Sequence, residues 1–572
     1  MWCKNCKKEV YSEICEYCGA GTEKEMPVEQ YWCSNCEVPI IKKVNDPTKN
    51  ICTLCGGKTK YMSQDLRPVF PEERLLFEIL TNKVFQFKDD SVWANGSRYY
   101  IKNKSSMLST SKYMNANVDE IIKELEEHRE NNSYDRFNEN IDRFIEANRE
   151  RLDYLKAEAY KFIKETAEEY PNENIVVSFS GGKDSTAVAE LVVNALGDPS
   201  LVHIFGDTTL EFPLTYEYAN RFRDANPFAI FKTSKNRDQD FYEVCKDIGP
   251  PARMLRWCCT MFKTGPITRT INSMYPNEKI LTFYGIRKHE SVSRSKYNRV
   301  EGDSEAVKIQ KQKVASPVFE WKDIDIWLYL LSEKIDFNDA YRLGYDRVGC
   351  WLCPNNSHRA QFLSKIYMPD RSKKWRDYLV EFAKSIGKPD AEVYVDTGKW
   401  KARQGGNGVK AAQDVKIKYT NCTSEEDSMI YELYKPFDET FLELMIPFGK
   451  VSKSMGRKLI NETVVLDMKT HMPIISIQPF EQDEYNYSVK IKTMNVTNHE
   501  DLQRMIGYQV RKYNACRSCL KCESLCKYGA ITIHGGEYHI SDKKCVRCKM
   551  CVTAKYLDGG CLMKKFMFTK DN

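Results

Sequence analysis

The stretch IVVSFSGGKDSTAVAELVVNAL, Ile175 to Leu196, limits the fold more than any other part of this chain. An apolar, mostly β-branched run from Ile175 to Phe179 stops at a serine-glycine-glycine turn, after which Ala187, Leu191 and Leu196 fall at helical intervals. The order is strand, loop, helix, and the strand suits burial in a parallel sheet. Gly181 and Gly182 let backbone approach a ligand, and the turn aims amide N–H groups and the positive end of the helix at an anion. Lys183 adds a mobile charge, Ser180 and Ser185 offer hydroxyls, and Asp184 lies between them. Such turns also occur in α/β proteins that bind no phosphate, but glycine, hydroxyl and lysine in one tight loop argue for an anion site.

The chain continues to alternate: LVHIFG reads as a strand, FPLTYEYANRFRD as a helix, FAIFKT as a strand and ILTFYGI as another. The fold class expected is α/β, a doubly wound parallel sheet, whose ligands sit beyond the carboxyl ends of the strands. Ser180 to Ser185, Asp207 to Thr209 and Gly285 to Arg287 then fall on one rim. Asp207 directly follows a strand, as a carboxylate for Mg2+ or ribose would, or as a helix N-cap would. GIRKHESVSR supplies Arg287 and Arg294, suited to bidentate contact with phosphate or sulfate. There is no Walker A GxxxxGK[ST]; the loop resembles the PP-loop, SGGxDS, of ATP pyrophosphatases and sulfonucleotide reductases, a fold like that of the adenine nucleotide alpha hydrolases.

Twenty-two cysteines lay out the rest of the 572 residues. Clustered CxxC spacing in a reducing cytosol points to metal rather than disulfides. Cys3, Cys6, Cys15 and Cys18, then Cys33, Cys36, Cys52 and Cys55, each read as a zinc ribbon, with Gly19 and the Gly56-Gly57 pair at the second knuckles. Two zinc sites of this kind replace cores too small to fold alone. Cys258 and Cys259 are adjacent, and Cys350 and Cys353 form a CxxC. Neighbouring thiolates chelate one tetrahedral ion poorly but reach two corners of an iron-sulfur cube, so a [4Fe-4S] cluster fits better than zinc or a vicinal disulfide. At the far end Cys516, Cys519, Cys522 and Cys526 precede Cys545, Cys548, Cys551 and Cys561, which looks like a bacterial two-cluster ferredoxin. That resemblance implies two more [4Fe-4S] clusters, with Cys561 joining the first three cysteines and Cys526 joining the next three. Lys527 stands where proline usually follows.

The domain plan is tandem zinc ribbons over 1–62, a hairpin and helical connector over 63–170, the PP-loop domain over 171–400, a strand-rich accessory region over 401–505 and the ferredoxin-like tail over 506–572. SVWANGSRYYI reads as a hairpin, Val118 to Glu169 and Met368 to Tyr394 as helical, IPFGK, MPIISIQPF and YSVKIKTM as strands, and RQGGNGVK as a loop.

SGGKDS, DTT after a strand, CC followed by Lys263 and Pro266, GIRKHESVSR, SPVFEWKDIDIWLYL and GCWLCP occur in the order seen in the phosphoadenosine phosphosulfate (PAPS) reductase family. The resemblance covers about Ile175 to Pro354 and is similar to cluster-bearing adenylylsulfate (APS) reductases and to the sulfur-handling subunit of DNA phosphorothioation systems. It implies that Ser180 to Ser185 bind nucleotide phosphate, that Lys263 and Arg287 hold the anionic group, and that the four nearby cysteines hold a cluster. The family's glutamate-cysteine-glycine motif, which carries a nucleophilic cysteine, does not occur, and DTT stands where the family often shows DTG. Only Cys245, read as a buried helix residue, and Cys422, beside Glu425, Glu426 and Asp427, lie outside the clusters.

Three functions follow as expectations: reduction of an APS- or PAPS-like compound with electrons from the tail, ATP pyrophosphate cleavage for nucleic-acid thiolation, or a nucleotide-sensing electron-transfer adaptor. The expected partners are an adenine nucleotide and a low-potential electron donor. A net charge of +6 neither demands nor excludes nucleic acid. No run approaches a membrane span, and MWCKNCKKEV lacks a signal-peptide core, so the expected location is cytoplasmic.

Overall fold

The structure is a computed structural model, and it describes all residues except 1, 4, 7, 10–13, 21–26, 103, 115, 303–311, 405–413, 480–486, 556 and 568–572. Most of the RQGGNGVK loop lies outside the described residues. The central sheet contains β1 (Ile175–Phe179), β2 (Val202–Asp207), β3 (Ile230–Lys235), β4 (Ile280–Phe283), β5 (Val300–Glu301) and β6 (Gln312–Ala315), in the order β3-β2-β1-β4-β6-β5. All neighbours pair in parallel except β5, which runs antiparallel to β6. The helices that bear on the site are α1 (Lys183–Leu196), α2 (Pro213–Ala225), α3 (Gly265–Met274), α4 (Asp323–Ser332) and, far along the chain, α5 (His499–Ala515).

Alternation along β1 explains why both faces are covered. Ile175, Val177 and Phe179 point into one core with Ala187, Val188 and Leu191 of α1, while Val176 joins Ile204, Ile271 and Ile280 on the opposite face. Strand order reverses between β1 and β4, which makes their carboxyl ends the switch point where a ligand crevice forms.

The two N-terminal ribbons are built differently. In the first, Trp2–Cys3 pairs with Lys8–Glu9, and its described core holds only Cys3, Cys15 and Cys6. In the second, the strand Val28–Cys33 lies between Val38–Lys43 and Thr59–Met62, and Tyr31, Trp32, Val38 and Ile40 belong to the same core as α1 and α4. Behind them, a buried charge network ties the hairpin region to the chain before Cys350: Arg67 donates to Glu73 at 2.6 and 2.7 Å and to Asp346 at 2.7 Å, and Arg359 pairs with both acids.

Six strands make a further antiparallel sheet, in the spatial order Tyr419–Asn421, Ser428–Leu433, Tyr487–Thr493, Pro473–Pro479, Thr463–Leu466, Lys450–Ser452. IPFGK is not one of its strands: Ile446–Phe448 makes a 3₁₀ turn, and the strand starts at Lys450. Pro447 cannot donate to a ladder, and a Cβ on Gly449 would stand 2.1 Å from the Leu466 carbonyl oxygen, so the chain turns where the two backbones meet. Helix α5 runs unbroken through residue 505, and its Ile506 and Val510 join Tyr431 and Val489 of that sheet to Leu525, Ile531 and Val552 of the cysteine-rich tail.

Candidate active site and metal centres

Strand β1 delivers the phosphate loop directly onto α1. Gly181 has φ +69°, and a Cβ there would lie 2.8 Å from Thr215 Cγ2, so both the conformation and the close approach call for glycine. The Ser180 N–H donates to Ser185 Oγ at 3.1 Å, and that hydroxyl donates to the Gly182 carbonyl at 2.8 Å. A turn at 338–341 braces the loop from outside: Asn338 Nδ2 donates to the Gly181 carbonyl at 3.1 Å, and the Lys183 N–H donates to Tyr341 Oη at 3.0 Å. Strand β4 leaves the sheet across the first turn of α1. A Cβ on Gly285 would stand 2.7 Å from the Asp184 carbonyl carbon, and this close crossing carries Arg287 over the loop.

Four charges then meet at the switch point. Lys183 Nζ lies 3.0 Å from Asp323 and 3.6 Å from Asp184, while Arg287 donates to Asp184 at 2.6 Å and to Asp323 at 2.7 Å. Both cations are almost fully enclosed, at 3% and 4% exposure. Against the cost of burial, the Arg287 and Lys183 charges hold the Asp184 carboxyl down at about 2, and the two acids in turn raise both cations. The result is a compact, charge-balanced cradle at the N-terminus of α1.

Asp323 is the member that sequence reasoning missed, although it lies in the quoted SPVFEWKDIDIW segment at the start of α4. Its own N–H donates to Asp65 at 2.8 Å, and Asp65 also accepts from Ile324 N at 3.3 Å and from Gln30 Nε2 of the second ribbon at 2.8 Å. The ribbon's packing therefore reaches the cradle through one carboxylate. An acidic residue just inside a helix start was the available signal.

The other expected site residues fall around this cradle. Asp207 accepts from Thr209 N at 2.8 Å and Tyr216 Oη at 2.7 Å and lies 3.6 Å from Lys235. It closes its own turn and does not cap α2, whose N-cap is Phe212. Arg294 pairs with Glu290, and burial together with Arg347 brings its guanidinium down to about 10. Lys263 sits in the π-helical turn Thr260–Thr264, where its charge acts on Glu211, Cys259 and Cys350.

That turn borders the Cys258, Cys259, Cys350 and Cys353 set. Cys350 Sγ is 3.3 Å from Thr208 Oγ1, and residues 211 and 350 form a β-bridge, so the set abuts the end of β2. The Cys258 thiol and Arg256, whose Nη2 is 3.4 Å from Cys259 Sγ, lower Cys259, whereas Cys259 and then burial raise Cys258.

In the ribbons the thiols stand close together. Cys3–Cys18 and Cys6–Cys15 are 3.5 and 3.8 Å apart, and Cys33–Cys55 and Cys36–Cys52 are 3.6 and 3.9 Å apart. A tetrahedral ion with bonds of about 2.3 Å sets its thiolates about 3.8 Å apart, so each ribbon matches one such ion. Among the described residues these are the two cysteine sets whose ligand atoms all lie within 4.8 Å.

The tail contains two matching loops. In CRSCLKC, Ser518 and Leu520 take positive φ; in CVRCKMC, Arg547 and Lys549 take it at the same positions. Non-glycine residues adopt that conformation at a cost of about 1 kcal/mol or more, and its repetition shows that the two loops share one backbone shape. Burial, then Cys522 and Cys516, push the Cys561 thiol up to about 12, while Cys545 is raised by burial and further by Cys526 and Cys548. Cys561 thus neighbours the first run and Cys526 the second.

The first of these sets is pressed onto the catalytic sheet's flank. Cys519 and Cys561 lie in one core with Trp257, Met261 and Phe262, and a Cβ on Gly265 would meet Leu520 Cβ at 2.8 Å. Arg269 of α3 donates to Glu523 at 2.9 and 3.1 Å and to the Ile533 carbonyl at 2.7 Å.

Fold and site together define a nucleotide-binding protein of the PP-loop type. Residues 174–356 match the model of the phosphoadenosine phosphosulfate reductase domain. An adenosine 5'-phosphosulfate reductase of Neisseria meningitidis serogroup B is 34% identical over 177 residues, 30% of this chain and 68% of that protein. The uncharacterized protein MJ0066 of Methanocaldococcus jannaschii is 26% identical over 471 residues, 70% of this chain and 96% of its own length. Among solved structures, a phosphoadenylyl-sulfate reductase from Candida auris matches with a TM-score of 0.28 and 16% identity, covering 36% of this chain and 96% of that one. The chain belongs to the phosphoadenosine phosphosulfate reductase family. Among its described residues no helix is long and apolar enough to cross a membrane.

Proposed function

We propose that this protein binds an adenylated sulfate, APS or PAPS, and reduces its sulfur to sulfite with electrons supplied through its own tail. The phosphates lie over Ser180 to Ser185 and the start of α1, where Lys183 and Arg287 neutralise them without moving far. Asp184 and Asp323 keep both cations oriented, and Lys263 and Arg294 flank the sulfate side. In the reaction the bond between sulfur and the bridging oxygen breaks, the nucleotide phosphate keeps that oxygen, and sulfur leaves as sulfite after gaining two electrons. Cys258, Cys259, Cys350 and Cys353 would hold one [4Fe-4S] cluster; Cys516, Cys519, Cys522 and Cys561 a second; Cys526, Cys545, Cys548 and Cys551 a third; and the ribbons two zinc ions. Clusters of this kind store and pass single electrons. The observation that carries the reading is the seating of Leu520 on Gly265, which puts the tail's first thiol set beside the Cys258–Cys259 segment at the edge of the nucleotide rim.

A second reading is ATP cleavage between its phosphates, feeding sulfur transfer to an acceptor such as nucleic acid. It is favoured by the cysteines outside the metal sets. Cys245 is buried with its thiol raised, as a core residue would be. Beside Cys422, Glu425 is taken up by Lys490 at 2.5 Å and Lys492 at 3.2 Å, and the thiol is lowered by Ser424. It follows the strand Tyr419–Asn421 of the antiparallel sheet and belongs to none of the PP-loop's own elements.

Anaerobic protein given APS or PAPS with a low-potential donor should yield sulfite without pyrophosphate. Pyrophosphate from ATP, with no sulfite from either sulfonucleotide, would reverse the choice.

A further inference from the structure

The two thiol sets of the tail differ in exposure. The inner set, with Cys519 and Cys561 buried in one core with Trp257 and Phe262 and Leu520 against Gly265, faces the catalytic region. In the outer set Cys551 is buried but Cys548 is exposed to solvent. Around that opening the chain is strongly one-signed: from Cys526 to Cys551 it carries Lys527, Lys543, Lys544, Arg547 and Lys549 against Glu537 and Asp542. Asp542 is already paired with Arg547, and Glu537 lies beside His539. Lys527, Lys543 and Lys544 are exposed and make no ion pair among the described residues. Lys527 and Lys544 are chain neighbours of Cys526 and Cys545, two thiols of the outer set. Two large apolar side chains lie on the same short segments, Tyr528 and Val546, each 52% exposed.

An apolar centre with a cationic rim over an exposed redox thiol set is the anatomy of a transient electron-transfer interface. We propose that an acidic one-electron carrier protein docks on the face around Cys548, with Lys527, Lys543 and Lys544 as the rim and Tyr528 and Val546 at the centre. This rests on the reading of the tail as the electron supply. Each docking oxidises the carrier by one electron and reduces this protein by one, so two dockings match one sulfur reduction. The opposite charge of the partner speeds encounter, and loose, polar contacts let it leave. Lys527, the departure from the usual proline, then has a role: it replaces a stiff apolar residue with a charge at the docking edge.

The test uses the full, iron-loaded chain and follows bleaching of its iron-sulfur absorption in anaerobic stopped flow. Reduced flavodoxin serves as an acidic probe and reduced methyl viologen as a cationic one. The flavodoxin rate should fall steeply as salt rises from roughly 0.05 to 0.5 M. In a K527E/K543E/K544E variant it should fall at least about tenfold, with the neutral K527Q/K543Q/K544Q variant between, while the viologen rate holds and iron content is unchanged. An unchanged flavodoxin rate, no salt dependence, or equal slowing with viologen overturns the proposal. So does loss of transfer RNA binding in the variant without any change in flavodoxin reduction, which would make the face a nucleic-acid surface. Because the readout is cluster reduction, absence of sulfite would count against the proposed reaction and leave this result intact.

Discussion

The cation cradle and the thiol sets solve burial in opposite ways. Lys183, Asp184, Arg287 and Asp323 bring two charges of each sign, so the cradle is balanced by its own residues. The thiol sets contain only like groups; burial and their neighbours push thiols such as Cys561 up to about 12, and such a set can hold a metal only by giving up its protons. A site balanced from within can be pre-formed for its ligand, whereas a site of like groups depends on a guest for its shape.

The largest effect expected from this contrast lies in the ribbons. Replacing Cys33 and Cys36 with Ser should remove one zinc and unfold the second ribbon, since structural zinc contributes on the order of 10 kcal/mol. Because its Trp32 and Ile40 belong to the main core, the thermal transition of the catalytic region should drop with it. The same change at Cys3 and Cys6 should remove one zinc and leave that transition in place, as their core is confined to the first ribbon. Equal shifts in the two variants would contradict the packing described.

Next comes a mirror pair. Lys183→Ala should abolish nucleotide turnover, a loss of at least about 100-fold, with iron and zinc contents unchanged. Cys258→Ser with Cys259→Ser should remove about four of roughly twelve irons and leave nucleotide binding intact. Iron loss from the first, or full iron in the second, would merge the two kinds of site.

A smaller and more diagnostic change is Asp323→Asn. Removing one negative charge beside Lys183 and Arg287 should tighten nucleotide binding severalfold by calorimetry, while turnover falls about tenfold because the cations lose their orientation. Weaker binding would mean that Asp323 does not act as their counter-ion.

The smallest expected effect is that of pH. The depressed Asp184 carboxyl contributes stability that is fully present above its unfolded value of about 3.9 and is lost as pH falls through about 2. Nucleotide affinity should therefore show no step from Asp184 between roughly pH 5 and 8, and a midpoint near 6 in a titration that Asp184→Asn removes would refute the assignment.

Much of this was legible along the chain. Strand β1, its loop and α1 stand where an apolar run, two glycines and a helical period put them, and Gly19 and Gly56 take the positive φ that a knuckle's closing turn needs. IPFGK misled because its apolar residues bury a turn rather than a strand, a difference that periodicity cannot register over three residues. Asp65, Asn338 and Tyr341 carried no motif, and the role of Asp323 within its motif was hidden, because each is defined by a partner distant in the chain.

The sequence by itself determined the thiol inventory, the phosphate loop and the alternation that makes a doubly wound sheet, because these depend on spacing within a few residues. Only the tertiary structure decided which charges balance the loop's lysine and which thiol set faces the sheet. Asp65 and Asp323 lie 258 positions apart, and Arg269 and Glu523 lie 254 apart. Hydrogen bonds and ion pairs act over a few ångströms, so such pairs exist only once the strand order has brought their elements to one rim.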